Sequence, residues 1–182
     1  MKNVKIVNIV FAFCFLGGLS ACFVPPNYSD TPEIGFDRIS NVPLRGQDSV
    51  IITINYRDGN GDLGYNESDN SQPNNGQQNP NFNNYLVSPF KRQRGVFVPI
   101  RFTESSFSIA GRFPRLVRDS DVGRAIEGVL TYNFKFAYTF TSAYSPTVRV
   151  GDTLRFNVQI IDRQLNLSNV ITTEEIVIGT RK

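Results

Sequence analysis

The chain contains no His and no Trp, a single Met and only two Cys among 182 residues. Without His there is no Ser–His or Cys–His nucleophile pair, no His-ligated zinc and no side chain that titrates unperturbed near neutrality. Two Cys are too few for a disulfide framework. A Gly-rich phosphate loop, a nucleophile elbow and a thiol–base pair are also missing. The adjacent acidic pair Glu174-Glu175 falls in an extended pattern, where consecutive side chains point to opposite faces and make no acid/base dyad. The expectation is a protein that is not an enzyme.

What is present begins with MKNVKIVNIVFAFCFLGGLSAC. Lys2 and Lys5 precede an apolar run from Ile6 to Leu16, interrupted by Asn8 and ended by Gly17-Gly18. Roughly a dozen apolar residues do not span a bilayer core as a helix, which takes about 20. The segment has the proportions of a secretory signal peptide. Its last four residues, Leu19-Ser20-Ala21-Cys22, resemble the bacterial lipobox, in which small residues precede a Cys that is acylated before cleavage. That resemblance implies a signal peptide over 1–21, a covalent lipid on Cys22, and a Pro-rich polar tether over 22–33. Several acyl chains hold a protein on a membrane where one is marginal.

Removing residues 1–21 leaves 161 residues with 17 Lys and Arg against 16 Asp and Glu. The basic balance of the full chain therefore belongs partly to the export segment, and nucleic acid is not an expected partner. Cys22 is then the one remaining Cys, so no disulfide or redox site is expected.

From Ile34 onward the hydrophobic pattern has period two. Val50, Ile52, Ile54 and Tyr56 share one face of Ser49–Tyr56. Leu130, Tyr132, Phe134, Phe136, Tyr138 and Phe140 share another, as do Leu154, Phe156, Val158 and Ile160. Val96–Phe102 also alternates, with Pro99 suited to a sheet edge. Shorter candidates are Ile34–Ile39, Tyr85–Phe90 and Val170–Ile178. Turn residues separate them at Arg94-Gly95, Gly151-Asp152 and Gln164-Leu165-Asn166. Seven or eight strands over residues 34–182 predict an all-β, antiparallel sandwich of the immunoglobulin or fibronectin type. The aromatic stripe on Tyr132–Phe140 fits the core of such a sandwich better than a ligand platform. The Gly151-Asp152 turn and the Asp162…Asn166-Leu167-Ser168 turn resemble those flanking the penultimate strand of bacterial immunoglobulin-like domains.

One segment stands apart. Residues 58–84 form a long polar loop with nine Asn, four Gly, four acidic residues and no Lys or Arg. Loops of this length in compact domains are usually functional or disordered. At its start, Asp58, Asn60 and Asp62 alternate with glycines, which lets oxygen-bearing side chains converge, as calcium requires. Asp69 stands at the twelfth position from Asp58. The stretch resembles the DxNxD part of EF-hand and dockerin calcium loops. It departs from the EF-hand at Leu63, where that motif has Gly, and at Asp69, where it has a bidentate Glu. A plain Asn/Gly turn between two strands accounts for the same residues. If Ser49–Tyr56 is strand B and Thr153–Asp162 strand F of the sandwich, their C-terminal ends share a pole. Asp162 would then approach Asp58 and Asp62, giving a candidate calcium set of Asp58, Asn60, Asp62, Asp69 and Asp162.

Taken together, Tyr-Arg-Asp-Gly-Asn-Gly-Asp-Leu-Gly after a strand, the later Asn-Tyr-Leu, Gly111-Arg112-Phe113-Pro114, and Asp162-Arg163…Ser168-Asn169 resemble a group of uncharacterised Bacteroidota lipoproteins. The resemblance spans most of residues 34–178. It implies an immunoglobulin-like fold and an outer-membrane location, facing the periplasm or the cell surface. An acidic export signal directly after Cys22 is lacking in Phe23-Val24-Pro25-Pro26, which suits the periplasmic side.

Between residues 91 and 124 eight basic side chains oppose three acidic ones. Lys91, Arg92 and Arg94 are the candidate basic patch, fitted to anionic lipid headgroups or acidic glycans. Solvent-facing Arg on strands is the plainer account. Asp48-Ser49-Val50 and Asp152-Thr153-Leu154 match a short pattern resembling Bacteroidota O-glycosylation sites. The sequence thus points to a lipid-anchored envelope protein acting as a non-catalytic binding module for an envelope protein or glycan. A structural or assembly subunit of an envelope complex is the alternative.

Overall fold

The computed structural model describes residues 26–66, 83–103, 108–138 and 143–182. The expected signal peptide (residues 1–21), Cys22, Asp69 and most of the long loop lie outside the described residues. Ten strands and one short 3-10 turn, Asp119–Asp121, make up the described secondary structure.

Strands β1 (Glu33–Leu44), β2 (Gln47–Asp58) and β6 (Ile126–Ala137) form one antiparallel sheet in the order β1-β2-β6. The second sheet runs β10-β8-β3-β4, with β9 also paired to β8. Its members are β3 (Tyr85–Gln93), β4 (Val96–Pro99), β8 (Thr153–Ile160), β9 (Ile171–Thr172) and β10 (Ile176–Val177). A two-residue pair, β5 (Arg101–Phe102) with β7 (Tyr144–Ser145), stands beside them. The molecule is all-β and sandwich-like, as the period-two pattern predicts.

The alternation decides which side chains meet. Val50, Ile52 and Ile54 of β2 are fully buried and face Leu154, Phe156, Val158 and Ile160 of β8 across one core. Aromatic rings close the seam. Phe156 packs edge-on against Phe134 at 5.5 Å and against Phe136 at 6.3 Å, while Tyr85 lies 4.6 Å from Tyr132. The aromatic stripe of β6 is therefore core. Such contacts between ring edges and faces add to the area they remove from water.

Two expected strands are broken. Val96–Phe102 divides at Pro99, whose partner across β3 is Phe90 at the sheet edge. The next amide, Ile100 N–H, turns to the Pro89 carbonyl at 2.9 Å and Ile100 is buried, so Arg101 and Phe102 leave for β7. Proline cannot carry the ladder onward because it has no N–H to give. Val170–Ile178 divides similarly, since Thr173 is buried and its backbone and Oγ1 are both tied to Phe156.

Candidate metal centre

Strand β2 ends at Asp58, and Asp162 lies two residues beyond the end of β8. These two C-terminal ends meet at one pole, although the strands belong to different sheets. Gly61, at φ 67°, turns the chain in the left-handed region that glycine enters without steric cost. That turn brings Asp62 back toward Asp58. The Asp62 amide donates to Asp58 Oδ2 at 3.1 Å and to Asn60 Oδ1 at 3.2 Å. The result is a group of three carboxylates, from Asp58, Asp62 and Asp162, with one oxygen of each within 4.8 Å of the others.

Each carboxylate is buried. Asp162 is held by its own turn: its Oδ1 accepts the Asn166 amide at 2.7 Å and its Oδ2 accepts Asn166 Nδ2 at 2.8 Å. Leu165 adopts a positive φ of 69° to close that turn. The other two acids are less provided for. Asp58 Oδ1 and Asp62 Oδ1 are buried without a hydrogen-bond partner. Burial, followed by the charge of Asp62 and then Asp162, pushes the Asp58 carboxyl up to about 7. Burial and the charge of Asp162 push Asp62 up to about 6, partly opposed by Arg163 and Gln164. Unpaired carboxylate oxygens in low-dielectric surroundings are costly, and they favour either a proton or a cation.

The walls of the site come from the start of the long loop, which is packed rather than free. Leu63 and Tyr65 are buried. Tyr65 N–H donates to the Phe113 carbonyl at 3.1 Å, and its hydroxyl donates to the Asp162 carbonyl at 2.7 Å. At the other end of the loop, buried Asn84 pairs with Phe113 through both backbone groups, its Oδ1 accepting at 2.9 Å and its Nδ2 donating at 3.3 Å. Both ends of the segment over 58–84 are thus fixed at the acidic pole.

Of the candidate calcium residues, the structure brings Asp58, Asp62 and Asp162 together, as the two-strand geometry anticipates. Asn60 stands among them, but its Oδ1 faces the Asp62 amide. Asp69 lies outside the described residues. The sequence pattern places Asp162 and Asn166 in one turn, and the structure adds the two hydrogen bonds that close it. Sequence reasoning missed Tyr65 as a brace, which nothing local marks.

The basic residues take separate positions. Lys91 is largely buried and ion-paired with Asp152 at 2.7 Å, also donating to the Thr147 carbonyl at 2.7 Å. Arg92, on the opposite face of β3, pairs with Glu175 and lies 5.1 Å from the centre of the Phe97 ring. Arg94 occupies the two-residue β3–β4 turn with φ 50°. In the short glycosylation-like patterns, Asp48 is buried and holds Asn41 at 2.7 Å, while Ser49 Oγ donates to Asn133 Oδ1 at 2.9 Å. Comparison with protein-family models, curated proteins and solved structures finds no match to this chain.

Proposed function

We propose that the chain is a lipid-anchored cell-envelope protein whose immunoglobulin-like domain is a non-catalytic binding module, stiffened at one pole by calcium. The strand order supports the finer fold assignment. A β1-β2-β6 sheet opposite β10-β8-β3-β4 corresponds to strands A-B-E opposite G-F-C-C′ of that family of sandwiches.

The observation that carries the calcium part is the pair of orphaned, buried oxygens on Asp58 and Asp62, set against Asp162. Calcium binds six to eight oxygens at about 2.3–2.6 Å, so two ligands of one ion lie no more than about 5 Å apart. The spread of the three carboxylates falls within that limit. An ion there would satisfy both orphan oxygens and join the end of β2 to the end of β8. Its role would be mechanical: it would tie the start of the 58–84 segment to the end of β8. No reaction is assigned to it.

The test is a calcium titration by isothermal calorimetry, paired with thermal melts in calcium and in excess chelator. One ion per chain and a melting midpoint several degrees higher in calcium are expected. A ligand present at 100 times its Kd stabilises by about 2.7 kcal/mol. No binding heat and coincident melts would remove calcium from the proposal.

A further inference from the structure

The segment ahead of β1 is fastened to the acidic loop by contacts of its own. The Gly59 amide donates to the Ser29 carbonyl at 2.8 Å. A Cβ at Gly59 would overlap the Tyr28 carbonyl oxygen and stand 2.8 Å from that of Ser29, so the close approach depends on glycine directly after Asp58. The Tyr28 hydroxyl donates to Glu127 Oε2 at 2.6 Å. Arg57 lies over the Tyr28 ring, 5.6 Å from its centre, and 3.8 Å from Glu127. On the loop's other side the Gly123 amide donates to the Asn60 carbonyl at 2.5 Å. Residues 59–60 are therefore held between the leading segment and the turn after Asp121.

Position joins the segment to the acidic site. Gly59, whose amide donates to the Ser29 carbonyl, directly follows Asp58, and Asn60, held by Gly123, accepts the Asp62 amide through its Oδ1. An ion that drew Asp58 and Asp62 together would fix the same turn that presents the Gly59 amide to the leading segment. We propose that cation binding at Asp58, Asp62 and Asp162 is coupled to the seating of Asn27–Thr31, so that the ion latches the leading segment onto the domain. Linkage then works in both directions: the seated segment tightens ion binding by the same factor.

The inference rests on the calcium reading above, and its consequence at the membrane rests on lipidation of Cys22. Glu33 stands eleven positions beyond Cys22, but Asn27 only five. At roughly 3.3–3.6 Å per extended residue, seating cuts the reach of the tether from about 38 Å to about 17 Å. Ion loading would bring the acidic pole close to the lipid surface.

Because the chain has no Trp, Asn27→Trp in the full-length protein, purified in detergent, is a single-site reporter of seating. Calcium should reduce its quenching by acrylamide. Calorimetry on Tyr28→Ala, which removes the Glu127 and Arg57 contacts without touching the carboxylates, should show calcium Kd raised about fivefold or more. Gly59→Ala should do the same, and Tyr28→Ala, on the leading segment, serves where Gly59→Ala misfolds. If calcium binds but the reporter and both affinities stay unchanged, the latch is overturned and the metal site stands. If the wild-type protein gives no calcium heat, both are overturned.

Discussion

Asp58 and Asp162 stand at the ends of strands from different sheets, yet one carboxylate oxygen of each lies within 4.8 Å of the other at one pole of the molecule. Their surroundings differ in a way that separates their roles. Asp162 receives two hydrogen bonds from Asn166, while Asp58 keeps one oxygen buried and unpartnered. One acid is built into a turn. The other is left to a proton or a cation.

Substituting the two should therefore have opposite effects in chelator. Asp58→Asn removes a buried charge that faces two like charges, so the metal-free protein should melt higher than wild type. The same variant should lose the calcium-induced gain. Asp162→Asn sets an amide where two carboxylate oxygens accept from Asn166, leaving a buried donor unmet. It should destabilise by about 1–3 kcal/mol with or without calcium. Thermal melts of the two variants in calcium and in chelator check all four outcomes.

The sandwich seam offers a test that is independent of any ion. Phe156 is fully buried and packs edge-on against Phe134 and Phe136 of the facing sheet. Truncation to Ala at such a site leaves a cavity as well as losing transfer energy, at a cost of about 3–5 kcal/mol. Phe156→Ala should lower the denaturant midpoint sharply with an unchanged slope, and Phe156→Leu should lose less. A loss for Phe156→Ala below about 1 kcal/mol would contradict the packing described.

Much of this was legible in the sequence because it is periodic. Val50, Ile52 and Ile54 announce the inner face of β2, and Leu154, Phe156, Val158 and Ile160 that of β8, since a pleated strand alternates its side chains. Asp58 and Asp62 were visible as alternate oxygen-bearing residues in a Gly-rich turn. Asp162 followed only after assuming that two strands end at the same pole. Other relationships leave no local trace. Tyr28 bonds Glu127 across 99 positions, and Tyr65 bonds Asp162 across 97. Neither partner sits in a pattern that names the other. Pro99 was read as an edge residue, which it is, but the departure of Arg101 and Phe102 toward β7 depends on the burial of Ile100, a tertiary effect.

The address of the protein is testable apart from its fold. If Cys22 carries the lipid, Cys22→Ser should move the chain from the detergent-rich to the aqueous phase on Triton X-114 partitioning. It should also abolish incorporation of labelled palmitate. Cys14→Ser, within the expected signal peptide, should change neither. Retention of the Cys22→Ser chain in the detergent phase would show a membrane attachment other than this thiol.

The pH dependence of the metal-free protein should run against the usual trend for a carboxylate-rich protein. An unfolded chain ionises Asp near 4, whereas burial and mutual repulsion raise Asp58 to about 7 and Asp62 to about 6 in the fold. Between those limits the folded state binds more protons than the unfolded one. Stability must then fall as pH rises, from its full value below about 4 to a plateau above about 7. In chelator, the melting midpoint should decline across that window, and Asp58→Asn should flatten much of the decline. Calcium requires the deprotonated acids, so its binding strengthens with pH. In millimolar calcium the slope should shrink or reverse. A midpoint that rises with pH in chelator, unaltered by Asp58→Asn, would show that the two acids ionise freely in the fold.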